Sequence, residues 1–313
     1  MKSDEFPLVT IGVPTFNRAE GLRRTLDHIT KQTYTNLEII VSDNCSPDGR
    51  VEDTVQEFLA TDRRIQYFRQ SQNRGPSFNF NFVLSQASGR YFMWAADDDY
   101  FESSNLVEEL LKADRGNVLA FPDFNLSGEP DNSAYSIYQS IYGSCQSNDD
   151  YLLAWCRNGL GYPFYGLYNL EQFEKRGLEF KFDEDLSYNS EGTFLHKLFL
   201  VGDVKFVPGI YINASTLSQK PDALTQLKSF TSYTQRTLLI YLKCKMELKK
   251  KVAALRSIFN LHCEHEAALF ASAWKETSRR DLILYSITNP IAMILVSAHI
   301  PRYVILRLSP TSR

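Results

Sequence analysis

The stretch RYFMWAADDD, residues 90 to 99, runs from an apolar segment straight into three consecutive acids. Residues 91 to 94 have the composition of a buried strand, so the acids stand at its exit. Three adjacent carboxylates repel one another unless they are hydrated or neutralised, which makes a divalent cation a natural occupant. Oxygen ligands favour Mg²⁺ or Mn²⁺. The alternative is a solvated acidic turn that caps the following helix.

The positions of the acids leave the metal ligands open. Asp97 and Asp99 are two residues apart, and side chains at i and i+2 share one side of a strand. They are predicted to converge on one ion while Asp98 points elsewhere, unless the backbone has already turned. The candidate metal ligands are therefore two of the three acids Asp97, Asp98 and Asp99.

The first hundred residues alternate between strand and helix patterns. Strands are predicted at 8–13, 37–41, 65–68 and 91–94. In the first intervening helix, Leu22, Leu26 and Ile29 share one face, and Asn17 with Glu20 resembles a capping box. The alternation predicts an α/β fold: a mostly parallel sheet flanked by helices, with its ligand site at the carboxyl ends of the strands.

Composition excludes several classes of protein. The 313 residues carry a formal net charge of −3, so nucleic acid is not an expected partner. The five cysteines include no C-x-x-C pair, which argues against a disulfide framework or a zinc cluster. Residues 1 to 7 lack the apolar core of a signal peptide, and the protein is expected on the cytoplasmic side.

The second half of the chain changes character twice. Residues 123 to 150 have a loop composition that predicts either a mobile flap over the site or a plain surface insertion. Helices are predicted near 171–176, from 191 to 202, and throughout the chain after about 222. Two domains are therefore expected, 1–217 as a catalytic domain and 218–313 as a helical appendage.

Five motifs occur in order along residues 7 to 215: VTIGVPTFNR at 9–18, EIIVSDNCSPDG at 38–49, NRG at 73–75, ASGRY at 87–91, and the acidic run. Together they resemble the family 2 glycosyltransferases. The resemblance implies the Rossmann-like GT-A fold and a nucleotide-diphosphate sugar donor held partly through a metal. It also implies transfer to an acceptor with inversion at the anomeric carbon.

The resemblance assigns donor binding to seven residues: Pro14, Thr15, Asn17, Asp43, Arg74, Asp97 and Asp98. A carboxylate such as Asp43 would accept hydrogen bonds from the base or ribose, although a helix cap or Asx-turn is the alternative. Arg74 would reach a phosphate, or is a solvated arginine. The metal motif of many relatives reads Asp-x-Asp-Asp, and this chain has Ala96 at its first position.

Inverting transfer requires one general base for the acceptor hydroxyl. The resemblance assigns this role to Glu191, because Ser190-Glu191 with Lys197-Leu198 and Gly202 matches the family's Glu-Asp motif, with Glu at the base position. The alternative is a first-turn glutamate that the helix dipole favours. The other acidic candidates are Asp183, Glu184 and Asp185, which also fit a solvated loop.

Aromatic residues of this region are candidates for an acceptor platform or for packing. They are Trp155, Tyr162, Phe164 and Tyr165. Trp94 is predicted to lie in the core, and His196 to be a packing or surface residue, because no second histidine stands at metal-ligand spacing.

The end of the chain has apolar and basic features. Residues 282 to 301 lack Asp, Glu, Lys and Arg, but Asn289-Pro290 and Pro301 interrupt the run, which favours an interfacial segment over a spanning helix. Residues 302–313 are basic and amphipathic and would dock on anionic lipid; burial against the catalytic domain or a homo-oligomer contact is the alternative.

These features predict a metal-dependent inverting glycosyltransferase with Mn²⁺ or Mg²⁺ as cofactor. Its acceptor would be a saccharide or a lipid-linked intermediate of surface polysaccharide synthesis, reached from the inner face of the cytoplasmic membrane as a peripheral protein. One alternative is a non-catalytic relative that binds sugar nucleotides or glycans. A nucleotidyltransferase is a third reading, but it should carry a Gly-rich basic loop after the first strand, which residues 14 to 18 are not.

Overall fold

A computed structural model describes residues 6–127, 137–159, 161–179, 182, 190–215 and 222–276. The acidic candidates Asp183, Glu184 and Asp185 lie outside the described residues. So does the basic amphipathic tail at 302–313.

Eight strands of the described chain form one sheet: β1 Val9–Thr15, β2 Leu37–Asp43, β3 Ile65–Arg69, β4 Tyr91–Trp94, β5 Tyr100–Phe101, β6 Leu119–Ser127, β7 Leu167–Asn169 and β8 Val204–Ser215. Their order is β3-β2-β1-β4-β7-β6-β8-β5. Strands β1 to β4 are mutually parallel, whereas β7 runs antiparallel to both β4 and β6. The predicted α/β fold with a mostly parallel sheet is confirmed.

Ten helices of the described chain surround the sheet: α1 Ala19–Thr30, α2 Arg50–Leu59, α3 Pro76–Ser85, α4 Leu106–Ala113, α5 Ile137–Tyr142, α6 Asn148–Asn158, α7 Leu170–Lys175, α8 Ser190–Val201, α9 Ala223–Lys243 and α10 Leu248–Glu276. A 3₁₀ turn, Tyr162–Tyr165, precedes β7. Leu22, Leu26 and Ile29 of α1 are fully buried, as their spacing predicts.

The predicted capping box of α1 is wrong. The N-cap is Arg18, which makes no side-chain cap hydrogen bond. Asn17 instead takes a left-handed conformation, with φ of 56°, and its backbone N–H donates to Ser46 Oγ at 2.8 Å. The helix therefore begins one residue later than the pattern suggests, and Asn17 ties the end of β1 to the loop after β2.

The loop predicted at 123–150 is also partly wrong. Residues 123–127 continue β6, and 137–142 form α5. Asp123, which has a loop-like composition around it, is buried and accepts the backbone N–H of Phe124 and of Tyr138. Residues 128–136 lie outside the described part, so the flap itself stays a prediction.

The sheet ends with β8, and the chain continues as two long helices. Helix α10 packs against α9 and against α6, while α9 contacts α8. The helical character expected after residue 222 is confirmed as far as residue 276, and the division at 217/218 stays a prediction. Among the described helices, none has the length and apolar character that crossing a bilayer requires.

Candidate active site

Asp97 is the centre of the polar cluster at the carboxyl edge of the sheet. The residue is 6% exposed and lies just beyond β4. Oδ2 accepts the Thr15 hydroxyl at 2.9 Å and the Phe16 backbone N–H at 3.3 Å, so the end of β1 holds it in place. Two parallel neighbouring strands thus bring Thr15 and Asp97 together, as expected for the carboxyl ends of β1 and β4.

Arg18 joins the first two acids of the run. Its Nη1 donates to Asp97 Oδ1 at 3.0 Å and to Asp98 Oδ2 at 2.7 Å. Residues 97 and 98 form a turn, so the strand alternation that would pair Asp97 with Asp99 has ended. The acids that converge on one cationic atom are therefore Asp97 and Asp98.

Burial changes the acidity of Asp97. Loss of solvent raises its pKa to about 6, although the Arg18 guanidinium acts in the opposite direction. Helix α1 approaches closely here, since a Cβ at Gly21 would lie 2.2 Å from the Asp97 carbonyl oxygen. A carboxylate buried this deeply is stabilised by a cation, and in the described structure Arg18 supplies one.

Asp99 is held through its backbone. Its backbone carbonyl accepts the Thr25 hydroxyl at 2.6 Å, which anchors the run to α1. Its charge helps raise the pKa of Tyr162 and of Tyr165, in both of which burial is the larger cause. Within the described ranges, no three His, Cys, Asp or Glu side chains are gathered as a metal site. The assignment of Asp97, Asp98 and Asp99 as metal ligands therefore stays a prediction.

Asp43, at the end of β2, is 1% exposed. Its Oδ1 accepts the Ser46 backbone N–H at 2.9 Å and the Ser46 hydroxyl at 2.6 Å, so the Asx-turn alternative describes its local structure. Oδ2 accepts the Tyr67 hydroxyl at 3.2 Å. Because a carboxylate offers about four acceptor positions, Oδ2 retains capacity for a further donor.

Arg74 lies in the turn before α3. Its guanidinium sits over the Phe78 ring, 3.6 Å from the centroid, and its backbone N–H donates to Asn44 Oδ1. Asn44 also donates to Asn73 Oδ1 at 2.9 Å. The structure thus attaches the NRG turn to the loop after β2, on the same edge of the sheet as Asp43.

Glu191 begins α8 and lines a cavity of about 430 Å³. The other lining residues are Pro76, Ser77, Phe80, Gly159, Gly161, Tyr162, Phe164, Tyr165 and Phe182. Burial raises the pKa of the Glu191 carboxyl above its ordinary value. A carboxylate with raised pKa in a cleft is a stronger base than an exposed one, which fits general-base work.

Tyr165 links the two carboxylate sites. Asp97, Asp98 and Asp99 are absent from the lining of the 430 Å³ cavity. Tyr165 does line it, and the charges of the acidic run and of Glu191 both contribute to the raised pKa of Tyr165, after burial as the main cause. The charges of the acidic run and of Glu191 therefore both act on one aromatic residue of the cavity wall.

The predicted aromatic platform divides into two groups. Trp155 is fully buried, stacks on Phe199 at 5.2 Å and donates to His196 Nδ1, so it belongs to the packing and not to a surface platform. His196 is a buried packing residue, which is one of the two roles predicted for it, packing or surface. Tyr162 and Phe164 both line the cavity, and the Phe164 ring also stacks on Trp94 in the core.

Sequence reasoning missed Arg18 as a site residue. Its signal was present, because Arg18 follows directly after the end of β1, where a cation can reach the acids at the end of β4. It also missed the contribution of α9 and α10, since Glu191 lines a second cavity together with residues of these helices. These residues lie about forty (α9) and about seventy (α10) positions after Glu191 in the chain, so the contact has no local signature.

Comparisons with known proteins agree with this geometry. Residues 10–163 match the family model described as "Glycosyl transferase family 2". The chain is 33% identical, over 200 residues, to GalNAc(5)-diNAcBac-PP-undecaprenol beta-1,3-glucosyltransferase of Campylobacter jejuni. That match covers 62% of this chain and 60% of the Campylobacter protein, so it spans less than two thirds of the relative's length.

Two solved structures share the fold. TarS of S. aureus, crystallised in complex with UDP-GlcNAc, superposes with a TM-score of 0.63 at 17% identity, over 82% of this chain and 72% of that one. Mannosyltransferase PcManGT of Pyrobaculum calidifontis, in complex with GDP-Man and Mn²⁺, gives 0.57 at 16% identity, over 98% of this chain and 88% of that one. The fold is GT-A, and residues 10–163 of this chain are a glycosyl transferase family 2 domain.

Proposed function

We propose that this protein transfers a sugar, with inversion, from a nucleotide-diphosphate donor to a hydroxyl acceptor. The observation that carries the proposal is the convergence of Asp97 Oδ1 and Asp98 Oδ2 on one cationic atom at the carboxyl edge of the sheet. The donor would lie along this edge, against Pro14, Thr15 and Asn17 at the end of β1. Asp43 would accept from the base or ribose, and Arg74 would face the phosphates.

A divalent ion fits this donor set. Two carboxylate oxygens from adjacent residues lie 3.0 and 2.7 Å from one point of positive charge, and Mg²⁺ sites in proteins commonly use one or two carboxylates plus substrate phosphates. Asp97 and Asp98 would hold Mn²⁺ or Mg²⁺, with Asp99 at their side. A bound ion of this kind stabilises the charge of a departing nucleoside diphosphate. Arg18, released from the two acids, would be free to contact the diphosphate.

Glu191 would take the proton of the acceptor hydroxyl. Its position at the start of α8, on the wall of the 430 Å³ cavity, leaves room beside it for the donor sugar. Burial keeps its proton affinity above that of an exposed glutamate. Tyr162 and Tyr165, on the same wall, supply aromatic faces and hydroxyls for sugar rings.

A lipid-linked acceptor would require contact with a membrane surface. Exposed apolar side chains flank the turn between α9 and α10. Leu242, near the end of α9, is 60% exposed, and Leu248, at the start of α10, is 74% exposed. Lys245 and Lys249 are exposed beside them. Apolar side chains interspersed with lysines are typical of surfaces that bind anionic bilayers. This turn, in addition to the tail at 302–313, supports the proposal of a peripheral protein, and the name of the Campylobacter relative supports a polyprenyl-linked acceptor.

Donor binding and turnover test the proposal separately. Thermal shifts with UDP, GDP, dTDP and CDP, each with and without Mn²⁺, should reveal one nucleotide whose stabilisation requires the ion. With the matching nucleotide sugar, Glu191→Gln should lose about 100-fold or more in turnover, the usual contribution of a general base, and should retain donor binding.

Glu174→Gln is the matched control, because Glu174 is exposed on α7. Its turnover should equal that of the wild type. Equal turnover in Glu191→Gln would refute the base assignment. Binding of a nucleotide sugar by the wild type, with no release of nucleoside diphosphate under any condition, would favour the non-catalytic alternative.

A further inference from the structure

A second cavity lies on the far side of Glu191. It has a volume of about 230 Å³ and lies where the α6 end and the α8 start meet α9 and α10. Gly159, Gly161 and Glu191 line both this cavity and the 430 Å³ cavity, so the two spaces meet at the carboxylate. The remaining lining residues are Asn158, Gly192, Phe230, Tyr233, Leu261, His262 and His265.

Glycines keep the second cavity open. A Cβ at Gly159 would lie 2.7 Å from Leu261 Cδ2, and one at Gly192 would lie 2.8 Å from Tyr233 Cε2. Larger residues at these positions would displace the side chains that form the wall. Gly159 also has φ of 60°, the left-handed conformation at the C-terminal cap of α6.

His262 carries a polar atom without a partner. The residue is 2% exposed, and among the described residues nothing hydrogen-bonds to its Nδ1. A buried polar atom left unpaired is unfavourable and rare in native proteins. Burial, reinforced by His265, lowers the pKa of His262 to about 3, so the ring is neutral. Nδ1 is then a donor or an acceptor according to the tautomer, and both suit a hydroxyl group.

The other walls are aromatic. The Phe230 ring lies 5.1 Å from the His262 ring and 5.5 Å from the Tyr233 ring, measured between centroids. An apolar aromatic wall with few polar groups is the usual composition of a small-molecule site. At about 230 Å³ the cavity is smaller than the roughly 300–1,000 Å³ of drug-sized sites, so it suits a single ring.

We propose that this cavity is the acceptor subsite, which holds the terminal sugar ring of a saccharide acceptor while His262 Nδ1 hydrogen-bonds to one of its hydroxyls. A neighbouring hydroxyl of the same ring would then face Glu191. The inference rests on the proposed function, because it takes Glu191 as the base. It adds that the C-terminal helices α9 and α10 form part of the acceptor site.

Saturation-transfer NMR tests the subsite without turnover. The probes are the methyl glycosides of N-acetylglucosamine, N-acetylgalactosamine, glucose and galactose, added to the full chain with UDP and Mn²⁺. At least one should bind the wild type, and His262→Phe should weaken its binding about three- to tenfold, the loss expected for one hydrogen bond. His262→Asn should restore part of the affinity, since an amide places a polar atom near the position of Nδ1.

Thermal stability separates binding from structure. His262→Phe should melt at the same temperature as the wild type or higher, because the substitution removes an unpaired buried atom and keeps an aromatic ring. His28→Phe is the matched control, since the ring of His28, on α1, packs against Tyr100 of β5. This variant should bind the glycosides as the wild type does.

Two results would overturn the inference: binding of no methyl glycoside to the wild type, or equal binding to His262→Phe and wild type. Both are distinct from failure of the proposed function. Failure of the proposed function would appear as a lack of nucleotide binding, or as turnover that does not depend on Glu191.

Discussion

Lowering the pH from about 7 to about 5 should weaken the binding of a nucleotide sugar with its cation about tenfold, because it protonates Asp97. The pKa of this carboxyl is raised to about 6 by burial. A group with that pKa is about 90% ionised at pH 7 and about 10% ionised at pH 5. Since a cation binds the ionised form, the apparent association constant falls by this ratio, or about 1.4 kcal/mol.

Isothermal titration with UDP-GlcNAc and GDP-mannose in the presence of Mn²⁺ measures the effect. Nucleotide sugars are preferable to free nucleotides, because a terminal phosphate monoester has its own pKa of about 6. Arg18, the cation that opposes the shift of Asp97, stays charged over this range. Tyr165, whose pKa is raised well above its ordinary value, stays neutral. Asp97→Asn should bind weakly at both pH values and show no pH dependence.

The raised pKa of Asp97 also predicts how the stability of the folded protein depends on pH. A folded pKa of about 6, against a reference value of 3.8, means that the folded state binds the proton more tightly than the unfolded state. Stability from this group is therefore present below about pH 4 and is lost as the pH rises through about 6. The loss amounts to about 3 kcal/mol, from about two pKa units, and Asp97→Asn should not show it.

Two outcomes would refute this reasoning. The first is equal affinity of the folded wild type for the nucleotide sugar at pH 5 and pH 7. The second is an identical pH dependence of melting temperature in wild type and Asp97→Asn without cation. Either would show that Asp97 ionises as an exposed carboxyl does.

Further predictions concern the cation, the backbone and the surface. Arg18→Met should raise the pKa of Asp97 further, which moves the midpoint of pH-dependent donor binding upward in the same titration. Gly21→Ala should lower the melting temperature by several degrees and weaken donor binding, because its Cβ would lie 2.2 Å from the Asp97 carbonyl oxygen; an unchanged melting curve would contradict this. Leu248→Ser should reduce sedimentation with phosphatidylglycerol vesicles, whereas Phe6→Ser, at a residue 67% exposed outside the α9–α10 turn, should not.

The first four strands could be predicted because local pattern and tertiary role coincide there. Strands β1 and β2 are mostly buried runs of seven residues with an amphipathic helix after each, and β3 and β4 are shorter runs of five and four residues that pair in parallel beside them. Such βα units form a parallel sheet with little further information. The remaining strands lack this signal. Tyr100–Phe101 has two residues and Leu167–Asn169 has three, so neither presents a period, and both are strands because of the neighbours with which they pair.

The residues of the candidate site also divide into those that a local pattern predicts and those that depend on tertiary packing. Thr15, Asp43 and Asp97 are predictable because parallel strands deliver their carboxyl ends to one edge. The pairing of Asp97 with Asp98, in place of Asp99, was not predictable, because it depends on a turn that starts at Asp97. His262 was not predictable either, since its importance arises from the packing of α10 beside the start of α8.

The acidic run and Glu191 require different electrostatic surroundings. Asp97 has a raised pKa although Arg18 lies 3.0 Å away, so its burial is strong enough to favour further positive charge at that point. Glu191 has a raised pKa, and the causes of its shift include no cation. A base needs proton affinity, which a neighbouring cation would reduce. Because Arg18 contacts Asp97 and Asp98 and no cation contributes at Glu191, the acidic pair can attract a cation while Glu191 remains basic.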